Sequence, residues 1–197
     1  MRVVAGALKG RRLDAPSWPG LRPTSDKLRE TLFNILAPRI EGARVLDGYA
    51  GTGALGIEAL SRGARTVVFV ERDRRAQALI QRNLARCGIA NGYAIIRATV
   101  SRALETLRGE APFGIVLLDP PYDSAPSARA AARNDGRAHS ETLDAVLAAA
   151  GNVMAPGALL VLEHARRRDA PATAARLVRS REVMSGDSAL AFYELGR

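Results

Sequence analysis

Apolar positions along this chain follow two periods that take turns. Leu28, Leu32, Ile35 and Leu36 share one face at helical spacing, with Thr24 or Ser25 placed to cap the helix and Pro38 marking its end. β-type runs follow at Arg44 to Asp47, Thr66 to Glu71, Tyr93 to Arg97, Phe113 to Leu118 and Ala158 to Glu163. Between them lie helical patterns through Ile57, Leu60 and Ser61, through Ala76, Leu79, Ile80 and Leu84 with Gly88 as the stop, and through Leu143, Val146 and Leu147. Short strands separated by amphipathic helices build right-handed βαβ units, so the pattern predicts an α/β fold with a mainly parallel, doubly wound sheet. Two last β-type segments, Leu177 to Met184 and Ser188 to Leu195, are joined by Ser185-Gly186-Asp187 and read as an antiparallel hairpin. At the other end, Arg2 to Ala5 and Arg11 to Asp14 are extended pieces around Gly6 and Gly10, punctuated afterwards by Pro16, Pro19, Gly20 and Pro23, which reads as a small β-hairpin arm. Asp123 to Ser140 has no apolar periodicity and reads as a mobile loop.

A chain of 197 residues holds one well-buried α/β domain and is too short for two with a linker. The expected division is an arm over residues 1–23 and a main domain over 24–197, with the loop at 123–140 inside it. Lys and Arg number 29 against 20 Asp and Glu, a formal charge of +9. That excess suits a polyanionic partner, because each cation set against a phosphate releases condensed counterions, although an Arg-rich soluble protein would show the same balance. Cys87 is the sole cysteine, which excludes an intramolecular disulfide framework. Neither His139 nor His164 has a partner at a metal-binding spacing, so no metal is expected. No apolar run reaches the ~20 residues of a membrane span, and the first residues lead into Lys9 and Arg11 without a signal-peptide core; a cytoplasmic protein with no membrane contact is expected.

The stretch Asp47-Gly48-Tyr49-Ala50-Gly51-Thr52-Gly53-Ala54-Leu55-Gly56 joins the first β-type run of the α/β region to its first helix, where nucleotide-like cofactors bind. Gly51 and Gly53 let backbone approach a ligand closely, and Tyr49 lies among them. By itself such a loop is equally the mark of a dinucleotide held by its pyrophosphate. The acid before it tips the choice: Asp47 at a strand end suits a ligand with a cationic head, and S-adenosylmethionine carries an ammonium and a sulfonium. Glu71, at the end of the second run, can accept both ribose hydroxyls of either cofactor, and Arg72 can flank an adenine. The next turn, Ala98-Thr99-Val100-Ser101, offers no acid for the adenine amino group, so backbone or apolar contacts from Thr99 and Val100 must serve.

Phe113 to Leu118 runs into Asp119-Pro120-Pro121-Tyr122, which places this tetrad at the carboxyl edge of the sheet beside the glycine-rich turn. An exocyclic amine on a base is a weak nucleophile, since its lone pair is delocalised into the ring. A carboxylate at Asp119 and a backbone carbonyl near Pro120 can accept its two hydrogens, localise the lone pair and aim it at a methyl donor. Pro120 and Pro121 fix φ and carry no N–H, and Tyr122 can stack on a base swung out of its helix or loop.

Taken together, Met1 to Gly6, Arg22-Pro23-Thr24-Ser25-Asp26-Lys27-Leu28-Arg29-Glu30, Val45 to Gly63, Asp119 to Tyr122 and Gly186 to Leu190 resemble the RsmD family, bacterial 16S rRNA guanine-N2 methyltransferases. The resemblance implies a Rossmann-like class I methyltransferase fold. It also implies S-adenosylmethionine as donor, S-adenosylhomocysteine as product, and a guanine of 16S rRNA as acceptor, within an assembling small ribosomal subunit. Asp119 and Tyr122 inherit the catalytic role, and Arg2, Lys9, Arg11, Arg12 and Arg22 become an RNA-gripping surface on a protein expected to act as a monomer. Two other functions fit parts of the pattern: an adenine-N6 methyltransferase, which meets the same chemical problem, and a non-catalytic RNA-binding assembly factor. An NAD-linked oxidoreductase would need a proton-handling group near the nicotinamide, and none has a defined place.

Overall fold

The computed structural model describes residues 1–18, 25–121 and 142–196. Within them the chain forms β1 (Arg44–Gly48), β2 (Thr66–Val70), β3 (Tyr93–Ile96), β4 (Phe113–Leu118), β5 (Met154–Ala165), β6 (Thr173–Ala174), β7 (Leu177–Ser185) and β8 (Ser188–Leu195). These make one sheet in the order β3-β2-β1-β4-β5-β8-β7-β6. The first five strands are parallel, and β8, β7 and β6 extend the sheet antiparallel from β5. This is the expected α/β sheet with a C-terminal antiparallel hairpin. Strands β1, β2 and β4 are buried on both faces, which is why their sequences are continuous apolar runs without alternation. Helices α1 (Asp26–Ile40), α2 (Ala54–Ser61) and α3 (Arg74–Arg86) cover one face; α4 (Val100–Leu107) and α5 (Leu143–Ala150) cover the other.

Ser25 is the cap of α1, its Oγ accepting a hydrogen bond from the Leu28 amide at 3.2 Å. Pro38 does not end this helix, which continues to Ile40: the missing N–H costs one bond in the last turn, and Ile40 is buried in the core. Strand β5 starts four residues earlier than its apolar run, at Met154 rather than Ala158, because a register shift opposite Phe113 and Ile115 absorbs Pro156 and Gly157. The expected loop at 123–140, His139 within it, and the stretch from Pro19 to Thr24 lie outside the described residues.

The arm is a minimal hairpin, a single antiparallel bridge between Arg2 and Arg12. Val3 and Leu13, one from each leg, are buried and join the core beneath α1 and α2. Because the arm lies over α2, that helix has no water-facing side: every residue in it except Leu60 is buried.

Candidate active site

From β1 the chain moves outward through β2 and β3, then crosses back to add β4 on the other side of β1, and this reversal opens a crevice at the carboxyl ends of β1 and β4. The glycine-rich turn occupies it. The Ala50 amide donates to the Val70 carbonyl at 2.9 Å, and the Gly51 amide donates to Glu71 Oε2 at 2.9 Å, so the turn is fastened to the end of β2. Glu71 Oε1 accepts from the Asp73 amide at 2.8 Å, which fixes the carboxylate at the rim, while Arg72 is exposed. At Gly53 φ is +77°, and at Gly56 a Cβ would sit 2.2 Å from Phe69 Cε1, so α2 can press on β2 only through a bare backbone. Tyr49 is half-buried with φ of 67°.

Asp47, next to last in β1, is 1% exposed, and its Oδ2 accepts from the Gly56 amide at 2.8 Å. Burial raises its carboxyl pKa from the ordinary 3.8 to about 7; the Gly56 N–H pulls it back and the charge of Glu71 pushes it further up. Among the described residues no cation enters that balance. A buried carboxylate beside a second acid is a place for a ligand's positive group, and the ammonium and sulfonium of S-adenosylmethionine fit that donor set, with Glu71 one strand over for the ribose diol.

Leu118 pairs with Gly48, so Asp119, one step past β4, stands next to the start of the turn. Asp119 and Pro120 are half-buried and Pro121 is exposed; Tyr122 lies outside the described residues, as does Arg22. Thr99 and Val100 take positions different from the loop expected of them. Thr99 caps α4, its hydroxyl accepting from the Arg102 amide at 3.4 Å, and Val100 is the first buried residue of that helix, packed beside Gly48 and Leu118. An apolar wall is what Val100 can give an adenine; the Thr99 hydroxyl is already engaged by the cap.

The arm is anchored by polar groups of α2 and α3. Glu58, fully buried, accepts from the Val4 and Ala5 amides at 2.7 and 2.9 Å and from Arg62 Nε at 2.8 Å. Ser61 Oγ accepts from the Leu8 amide at 3.0 Å, and its carbonyl accepts from the Ala7 amide at 2.7 Å. Asn83 of α3 ties the arm to the turn itself: its Oδ1 accepts from the Asp14 amide at 2.7 Å and its Nδ2 donates to the carbonyls of Thr52 at 2.9 Å and Asp14 at 3.2 Å. Arg2, Lys9, Arg11 and Arg12 are exposed on this anchored arm, and Arg2 Nε lies 3.6 Å from Asp26 Oδ2.

The family model described as "Conserved hypothetical protein 95" matches residues 1–194. YlbH of Bacillus subtilis (strain 168) is 34% identical over 197 residues, 98% of each chain. Ribosomal RNA small subunit methyltransferase D of Escherichia coli (strain K12) is 45% identical over 123 residues, 62% of this chain and 60% of that protein. The chain belongs to the RsmD family. Solved structures agree at the level of the fold: yhhF from Escherichia coli is 30% identical with a TM-score of 0.77, covering 100% of this chain and 98% of that one. A protein from Thermus thermophilus is 28% identical with a TM-score of 0.78, covering 99% of both. As an RsmD chain it is an S-adenosylmethionine-dependent methyltransferase, and the crevice just described is where its sequence motifs converge.

Three residues that build this RsmD site were missed from sequence: Glu58, Ser61 and Asn83. A signal was present. Asn83 falls on the apolar stripe of α3 with Ala76, Leu79 and Ile80, and Glu58 interrupts an otherwise apolar α2, positions where an unpaired polar side chain would be costly.

Proposed function

We propose that this enzyme transfers the methyl group of S-adenosylmethionine to the exocyclic N2 amine of a guanine in small-subunit ribosomal RNA, acting on an assembling particle. The observation that carries the reading is the placement of Asp119 and Pro120 beside the Asp47-to-Gly56 turn, in a chain whose exposed cationic arm is tied to the same turn at Asp14 through Asn83. The name of the E. coli relative supports the ribosomal RNA substrate.

Bound in the crevice, S-adenosylmethionine supplies an electrophilic methyl on its sulfonium. Asp47 holds the ammonium of its amino acid end and Glu71 the ribose diol, with Tyr49, Gly51, Gly53, Arg72 and Val100 around them. The Asp119 carboxylate accepts one hydrogen of the base amine, and a backbone carbonyl at Pro120 accepts the other. That draws the nitrogen from planar toward tetrahedral, so its lone pair faces the methyl, and orientation supplies most of the acceleration. Tyr122, read from the sequence motif, stacks on the extruded base. Arg2, Lys9, Arg11, Arg12 and Arg22 grip the phosphate backbone.

The test incubates the enzyme and an Asp119→Ala variant with methyl-labelled S-adenosylmethionine and under-methylated small subunits, then identifies the labelled nucleoside. The expected product is N2-methylguanosine, absent with the variant. Label in N6-methyladenosine would replace the guanine reading with adenine, and no label in RNA or particle despite cofactor binding would refute the activity.

A further inference from the structure

Three carboxylates are buried among the described residues: Asp47, Glu58 and Glu163. Asp47 faces the cofactor turn, and Glu58 is taken up by the arm and Arg62. Glu163 is the third. It interrupts the apolar run of β5 near its carboxyl end, is 8% exposed, and its Oε1 accepts from Ser188 Oγ at 3.0 Å. Burying a carboxylate in a strand of leucine and valine forfeits most of its hydration, so such a group is retained where it has a polar task.

Its position assigns the task. Strands β4 and β5 pair in parallel register, Ile115 with Leu159, Leu117 with Val161 and Leu118 with Leu162. The next step sets Glu163 beside Asp119. Ile115, Leu117, Leu159 and Val161 all pack into the core on the α1–α2 face; the alternation of β5 puts Glu163 on that side, and the same alternation carried one residue past β4 puts Asp119 there too. The residue beside the one that aligns the amine is therefore a second acceptor, held in place by Ser188 on the neighbouring strand β8.

We propose that Glu163 reads the N1–H of the target base and so selects guanine, an inference that rests on the guanine reading above. On the pairing edge of guanine the N1–H donor lies next to the 2-amino group, so a carboxylate one strand away from Asp119 completes a pair of acceptors against a pair of donors. Adenine presents a bare N1 lone pair next to its amine, which a carboxylate repels. A site built to accept a hydrogen bond rejects the analogue lacking the donor far more strongly than an apolar pocket rejects a change of size.

The test compares RNA or particles carrying guanine or 2-aminopurine at the methylated position; the analogue keeps the 2-amino group and lacks the N1–H. Wild type is expected to prefer guanine in kcat/KM. Glu163→Gln should lower kcat/KM for guanine on the order of tenfold to a hundredfold, the value of a hydrogen bond to a charged group. It should also raise the relative rate on 2-aminopurine, because the amide can donate to a bare N1. Ser188→Ala should shift the same ratio in the same direction by less, and it carries the test if Glu163→Gln does not fold. S-adenosylhomocysteine affinity of Ser188→Ala should stay at the wild-type value, which a general structural defect would not allow. Equal wild-type rates on the two bases, or a ratio that no variant moves, would overturn the proposal. Absence of any wild-type label on guanine would instead refute the function on which it rests.

Discussion

With Asp47 holding the ligand's ammonium as proposed, the cofactor site acquires a pH dependence whose sign and size follow from its surroundings. Its carboxyl titrates at about 7 because it is buried, with the Gly56 amide opposing and Glu71 reinforcing the shift. The ionised form is the one that attracts an ammonium, so acidification through this range removes the charge the ligand needs. Apparent affinity then falls as one plus ten to the power of 7 minus pH; between pH 7.5 and pH 5.5 the loss is about 25-fold. The α-amino group of the ligand stays mostly protonated in that interval and does not reverse the trend. For folding alone the sign is opposite. A carboxyl whose folded pKa is raised contributes stability that is fully present below the unfolded value of 3.8 and is lost as pH rises through about 7. The assay is titration calorimetry with S-adenosylhomocysteine across the range, for wild type and Asp47→Asn. The variant should bind weakly with a flat pH profile. A wild-type affinity that rises on acidification, or a slope that survives in Asp47→Asn, would refute the role of Asp47.

Two further perturbations separate the arm from the crevice. In Gly6→Ala the new Cβ would lie 1.9 Å from the Ser61 carbonyl oxygen at a backbone φ of +84°, so the arm must lift off α2; RNA affinity should fall about tenfold with a shallower salt dependence, read by filter binding, while S-adenosylhomocysteine affinity holds. Asn83→Ala strips partners from the Asp14 amide and from the Asp14 and Thr52 carbonyls; urea unfolding should show a loss of about 2–4 kcal/mol, and a loss below about 1 kcal/mol would mean that water replaces the amide.

Much of the fold is legible because its strands are buried on both faces: Val67 to Val70 and Ile115 to Leu118 can be little else, and the turn after Asp47 announces itself by its glycines. Helix α4 is where the reading fails. Val100, Ala103, Leu104 and Leu107 stand at helical spacing behind a Thr99 cap, yet the segment is short and begins inside a stretch read as a cofactor loop. Pro38 misled for the opposite reason: a strong local stop signal is overridden by the burial of Ile40 two residues later. The carboxyl-edge placement of Asp47, Glu71 and Asp119 follows from strand order, which βαβ handedness makes readable. Which polar groups hold the arm does not, because the partners lie 53 to 69 residues apart and no local pattern joins them.

That separation also orders the birth of the molecule. The arm leaves the ribosome before α2 and α3, so Val4, Ala5 and Leu8 lack these partners until Glu58 and Ser61 have been made, and Asp14 must wait for Asn83. By then the turn after Asp47 has been synthesised and α2 is available to close over it. A nascent chain therefore carries these cations on a loose segment, and they become a fixed surface only when α2 and α3 have folded beneath them. An unfinished chain is in this way kept from presenting the ordered cationic surface of a finished one.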